Sequence, residues 1–86
     1  MVSVPSEQQL REALSSAATA HHDYQSNFLG GSPDEQWAGW YSAYVLGRLG
    51  HFTTPTLLTR WLVEAPGEGN WSKNAAANVL SNIGAV

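Results

Sequence analysis

The stretch "DEQWAGWYSAYVLGRLG", residues 34–50, places two Trp, two Tyr and one Arg on a segment whose apolar residues recur at helical spacing. Ser32 before Pro33 is typical of an N-cap followed by the first helical residue, and the acids that come next suit a first turn. Gly50 fits a left-handed residue that closes the helix. The stretch therefore predicts an amphipathic helix over 33–49.

Three further segments carry helix signals of the same kind. Ser6 followed by Gln9 is typical of a capping box, while Thr54 and Asn70 each precede a helical apolar period as N-caps. No segment alternates as a strand does, and the short loops are typical of antiparallel bundles. The predicted fold is all-α, a compact four-helix, bundle-like single domain over 1–86. Its helices span about 6–28, 33–49, 55–64 and 71–83.

The composition limits the kinds of partner that the protein can bind. Charged residues make up 13% of the chain, about half the usual share, and the net charge is −3. Four Lys and Arg create no field that would attract phosphate, so we expect neither nucleic acid nor an anionic membrane as partner. The chain has no Cys, no signal-peptide pattern at its start and no apolar run of membrane-spanning length. These absences favour a cytoplasmic protein.

Two segments of the chain have similar sequences, and we call this similarity the echo. The segment "WAGWYSAYVLGRLG" (37–50) aligns with "WSKNAAANVLSNIG" (71–84), and Trp, Ala, Val, Leu and Gly coincide at five positions. The echo predicts two related helix pairs packed with approximate two-fold symmetry. The offset equals that of tetratricopeptide repeats, but the consensus residues of those repeats are absent here.

The aligned helices differ along one edge of the apolar face. Helix 4 carries asparagine at every fourth position there (residues 70, 74, 78 and 82), and we expect a hydrated edge. Helix 2 carries Trp40, Tyr44 and Arg48 at the matching places. Two interpretations stay open. Either helix 1 covers these three residues as core, with Arg48 stacked on a ring, or they form an interface with a partner. The simplest partner is a second copy of the chain, giving a homodimer.

Small residues form another line on helix 2. Gly39, Ala43 and Gly47 follow one another at four-residue spacing. Each glycine inside a helix costs about 1 kcal/mol relative to alanine. We therefore expect a neighbouring backbone to pack closely against this line.

The segment "AHHDYQ", residues 20–25, holds the only cluster of potentially reactive side chains. His21 has Gln25 one helical turn later, where a zinc pair would need His or a carboxylate. A metal ion would have to recruit Asp34, Glu35 or His51 from other segments, so we expect no metal site and no cofactor. For His21 the expectation is a partly buried imidazole that is hydrogen-bonded to backbone or to an aromatic hydroxyl.

A ligand pocket between helices 1 and 2 is the alternative to an interface. Tyr24, Trp37 and Tyr41 would form its apolar walls, and His21 or Arg48 would supply the polar group. Such a pocket would suit a small-molecule-binding or enzymatic domain. It requires His21 and Arg48 to converge on one cavity.

Residues 20–50 also resemble a family of small bacterial helical proteins of unknown activity. The similarity rests on His22-x-Tyr24, Gly30, Asp34, Trp37, Trp40-Tyr41 and Tyr44. Members occur alone or appended to glyoxalase/bleomycin-resistance-type domains. An acidic residue often follows the position of Tyr24 in that family, whereas this chain has Gln25. The resemblance implies a helical accessory domain and no reaction.

Taken together, these patterns predict a non-catalytic interaction or assembly module that uses the aromatic face of helix 2. The pocket between helices 1 and 2 remains the alternative. We expect association with a protein partner or a second copy of the chain.

Overall fold

The computed structural model describes residues 3–32 and 34–84, which form four helices and no strand. Helix α1 contacts α2 and α4, and α3 contacts the same two helices, so the helices follow one another around a ring. The predicted all-α, four-helix fold is confirmed. The helices are α1 (Glu7–Phe28), α2 (Trp37–Leu49), α3 (Pro55–Glu64) and α4 (Trp71–Ile83).

Local capping explains where three of the helices begin. The Ser6 hydroxyl accepts a hydrogen bond from the Gln9 backbone N–H at 3.1 Å, and the Gln9 side chain accepts one from the Ser6 N–H at 2.8 Å. The side chains of Thr54 and Asn70 each accept from the N–H three residues later, at 3.2 and 3.3 Å. These contacts satisfy donors that a helix start leaves unpaired. The predicted N-caps of α1, α3 and α4 are confirmed.

The predicted beginning of helix 2 at residue 33 is wrong. Helix α2 begins at Trp37, because Asp34 forms a turn before it. The Asp34 side chain accepts from the Gln36 N–H at 2.9 Å, and its backbone carbonyl accepts from the Trp37 N–H at 3.3 Å. The predicted first helical residue, Pro33, lies outside the described residues.

The glycines that follow α2 and α4 differ in backbone conformation. Gly84 adopts the left-handed conformation after α4, with φ 83° and ψ 22°. Gly50 also has a positive φ, 86°, but its ψ of 167° is extended, so the left-handed conformation predicted for it is wrong. That combination is accessible almost only to glycine, and it directs the chain away from α2 towards α3.

The core consists mainly of aliphatic and small side chains from all four helices. Leu and Ala of α1 meet Val45 and Leu46 of α2, and Val79 of α4 is fully buried. Full burial of a Leu or Val side chain stabilises the fold by roughly 1.5–3 kcal/mol. The largest fully buried apolar side chains are Leu10, Leu14, Leu58, Leu62, Val45 and Val79.

The asparagines of α4 donate hydrogen bonds to backbone carbonyls, and the edge also stays open to solvent as expected, with Asn82 exposed and Asn74 and Asn78 half-buried. Asn74 donates to two carbonyls of the loop 65–70, at 3.0 and 2.7 Å. Asn78 donates at 2.8 Å to the carbonyl of Trp61, which lies in the last turn of α3. Asn82 donates to the carbonyl of Asn78 at 2.8 Å. Carbonyls at a helix end lack intrahelical partners, so these amides attach α4 to the end of α3 and to the loop.

The echoed helices α2 and α4 lie diagonally across the ring. Their first residues, Trp37 and Trp71, touch edge to face with ring centroids 5.6 Å apart. Tyr41 reaches Trp71 at the same distance. Corresponding positions of the echo therefore meet at one end of the bundle, and the two-fold relation stays a prediction.

Candidate functional site

Aromatic side chains from α1 and α2 form a continuous row on the surface between these helices. Phe28 and Tyr24 of α1 have centroids 5.6 Å apart, and Tyr24 lies 5.9 Å from Trp40 of α2. Trp40 stacks on Tyr44 at 5.7 Å, with ring planes 16° apart. We call Phe28, Tyr24, Trp40 and Tyr44 the aromatic row. Each pair on one helix is four residues apart, so the two side chains project from the same helix face.

The row is half covered by the protein. Tyr24, Trp40 and Tyr44 are half-buried, while Phe28 is 77% exposed. Large aromatic side chains normally bury most of their area in a core or an interface. The row is therefore supported from below by the protein along its length and is most open to solvent at Phe28.

His21 supports the row from below. Its side chain is buried, with only 5% of the residue exposed. The imidazole lies 5.0 Å from the Trp40 ring and 5.2 Å from the Tyr41 ring, between centroids. Burial of Tyr41 in the same layer raises the pKa of its hydroxyl. The row thus rests against His21, which is more buried than any ring of the row.

A hydrogen bond between His21 and Asp34 connects α1 to the turn before α2. The Nε2 of His21 donates to Oδ2 of Asp34 at 2.8 Å. This bond lowers the pKa of the Asp34 carboxyl, and the hydrogen bond from the Gln36 N–H lowers it further. His21 is buried as expected, but the expected partner, backbone or an aromatic hydroxyl, is wrong. A carboxylate binds it because the turn before α2 brings Asp34 beside the end of α1.

A histidine held by a carboxylate is also found among general bases, where the carboxylate orients the ring. Here the imidazole is enclosed by the rings of Tyr24, Trp40 and Tyr41, and its Nε2 is used in the bond to Asp34. Within 3–32 and 34–84, no three His, Cys, Asp or Glu side chains come together as a metal site. The contacts of His21 suit an orienting role between the helices.

Arg48 does not converge with His21, contrary to what the pocket alternative requires. It is exposed, one helical turn beyond Tyr44, and it borders an open groove that excludes His21, Tyr24, Trp37 and Tyr41. Trp37 and Tyr41 touch each other edge to face at 5.5 Å between centroids. The groove is lined by Ser6, Glu7, Gln8, Arg11, Glu12, Ser15, Ser16, Arg48, Asn70 and Ser72.

The three residues Trp40, Tyr44 and Arg48 divide between the two interpretations of the sequence. Helix α1 covers one side of Trp40, Tyr44 is half-buried against Trp40, and Arg48 lies in the open. The small residues beside them are exposed as well. A methyl group added at Gly39 or Gly47 would meet no atom within 4 Å, so the expected close backbone is not found within the described chain.

Two residues of this site were missed from the sequence. Phe28 follows Tyr24 by one helical turn, which was a usable signal, but its exposure depends on where α2 begins. In the sequence, Asp34 is predicted as a first-turn acid, is weighed as a metal ligand, and is one of the residues that carry the family resemblance. Nothing in the spacing pairs it with His21, thirteen residues earlier.

Comparison with known proteins found no family model, no curated protein and no solved structure that matches this chain. The resemblance to small bacterial helical proteins therefore stays a prediction. Among the helices of the described residues, none is long and apolar enough to span a membrane.

Proposed function

We propose that this protein is a non-catalytic interaction module whose aromatic row binds a protein partner. The observation that carries the proposal is the continuity of the row. Four aromatic rings, each within 6 Å of the next between centroids, run across two helices and end in Phe28, which is 77% exposed. Aromatic side chains presented in this way are enriched in binding hot spots.

The supporting layer favours binding because it holds the row in place. His21 packs against Trp40 and is fixed by Asp34, so the conformation of this pair of helices is set before a partner arrives. Preorganised side chains lose less entropy on association. The low share of charged residues, 13%, also suits a protein that covers part of its surface with a partner.

Site-specific photocrosslinking would test the proposal. A benzoylphenylalanine residue is placed at position 28 and, as a matched control, at Val63, an apolar residue of α3 that is 60% exposed. Both proteins are expressed in the organism that encodes the chain and irradiated. We expect a discrete protein adduct from position 28, and none from position 63.

A second substitution connects the adduct to the row. Tyr44→Ser, introduced together with the crosslinker at position 28, removes the far end of the row and should reduce the yield of adduct at least about tenfold. Equal yields from positions 28 and 63, or a yield that Tyr44→Ser does not change, would overturn the proposal.

A further inference from the structure

The segment of α2 and the turn before it is polarised in charge along its length. Residues 36–47 contain no charged side chain. Glu35, in the turn before α2, is exposed at one end of this segment. Arg48, in the last turn of α2, is exposed at the other end, where it borders the groove that Glu7 and Glu12 of α1 also line. Along α2 itself, an uncharged centre thus lies between an acid at the beginning and a cation at the end.

The outward face of α2 also lacks long polar side chains. Gly39, Ala43 and Gly47 are exposed along it, and added methyl groups at the two glycines would meet nothing. Each interior glycine makes a helix less stable than alanine would, and the described chain places no atom near these two positions that would require a glycine there. Small side chains on an exposed helix allow a second helix to approach closely.

We propose that the partner of this face is a second copy of the same chain, docked so that the two α2 helices run antiparallel. This inference rests on the proposed function, and it adds the identity of the partner. A two-fold interface brings one patch onto itself, so each end of the face meets the opposite end in the other copy. Antiparallel docking places Arg48 of each copy near Glu35 of the other.

The aromatic row and the small residues of α2 have different roles in the proposed contact between the two copies. Trp40 lies near the middle of the face, so the two rows meet around the two-fold axis and bury Phe28 and Tyr44. Gly39, Ala43 and Gly47 let the helices approach along the same line. A parallel arrangement would instead bring Arg48 against Arg48, which like-charge repulsion disfavours.

Sedimentation of the purified chain over a range of concentrations would measure the association. We expect a reversible monomer–dimer equilibrium. Arg48→Glu should raise the dissociation constant at least about tenfold, and Glu35→Arg should have an effect of the same sign. The double variant Arg48→Glu/Glu35→Arg should return it to within a few-fold of the wild-type value. Arg60→Glu, which reverses an exposed charge on α3, is the matched control and should leave association unchanged.

The outcomes separate this inference from the proposed function. A wild-type chain that stays monomeric, or a double charge reversal that fails to restore the dimer, overturns the antiparallel dimer. If position 28 then still forms an adduct that differs from twice the mass of the chain, the interaction module stands and its partner is another protein. Helical circular dichroism of each variant verifies the fold, and Phe28→Ser gives an independent test because its side chain is largely outside the core.

Discussion

Helices α2 and α4 share a sequence framework but use the same edge in different ways. In α4 the edge carries asparagines, and Asn74 and Asn78 bind carbonyls of α3 and of the following loop. In α2 the edge carries Trp40, which reaches the end of α1, and Tyr44, which stacks on Trp40; both remain partly exposed. The polar edge is attached to its own chain by hydrogen bonds, whereas the aromatic edge keeps part of its apolar surface exposed. The same sequence framework thus attaches α4 to its own chain and leaves part of α2 exposed.

The largest expected effect tests the framework that the two helices share. Val45 and Val79 are equivalent in the echo, and both are fully buried. Val45→Ala and Val79→Ala should each lower the free energy of unfolding by about 2 kcal/mol, since each loses two buried methyl groups and leaves a cavity. Urea unfolding at fixed protein concentration measures both. If the two substitutions lower the free energy of unfolding by amounts that differ by more than about 1 kcal/mol, Val45 and Val79 do not have equivalent roles.

A smaller effect is expected along the polar edge. Asn78→Ala removes the hydrogen bond to the Trp61 carbonyl and should lower the free energy of unfolding by about 1 kcal/mol. Asn82→Ala is a suitable comparison, since Asn82 binds only within its own helix. It should change stability less. If both substitutions cost the same, the attachment of α4 to α3 is not what the asparagine at position 78 provides.

The pH dependence of stability tests the support beneath the aromatic edge. The pKa of Asp34 is lowered in the folded protein, so its contribution is fully present above the ordinary pKa of 3.8 and is lost as the pH falls through the folded value. The urea midpoint should therefore fall on acidification below about pH 4. Asp34→Asn should weaken this fall, with Asp23→Asn as the exposed control. An unchanged acid profile in the Asp34 variant would show that the His21–Asp34 bond does not contribute.

The smallest effect on stability is expected at the exposed end of the row. Phe28→Ser should change the free energy of unfolding by less than about 0.5 kcal/mol, because the side chain is largely exposed. Val63→Ser should change the free energy of unfolding by an equally small amount, because Val63 is also largely exposed. Only the variant at position 28 should lose association, as measured by sedimentation. A loss of stability above about 1 kcal/mol at position 28 would instead make Phe28 part of the fold.

The sequence predicted elements whose signals are local and missed those that depend on tertiary contacts. The capping box at Ser6 and the N-caps Thr54 and Asn70 bind within three residues, so three helices were placed correctly. The beginning of α2 was misplaced because Asp34 binds both His21 and the Gln36 N–H. The helical spacing of apolar residues cannot predict the hydrogen bond between His21 in α1 and Asp34 in the turn thirteen residues later.

The candidate site was predicted in part for the same reason. Spacing along one helix identified Trp40 and Tyr44 as neighbours, and they do stack. It could not reveal that Tyr24 of α1 lies against Trp40, because this contact depends on the crossing of two helices. The continuity of the row therefore emerges only in the folded chain.

The ring order of the helices also determines how the chain can reach its fold. Three of the four helix contacts join neighbours in sequence across short loops, and only the contact between α1 and α4 joins distant parts of the chain. Local contacts of this kind are typical of helical proteins that fold within microseconds to milliseconds. We expect the docking of α4 on α1 to close the largest loop and so to dominate the entropic part of the folding barrier. The rate-limiting event would then be the closing of the ring rather than the formation of any single helix.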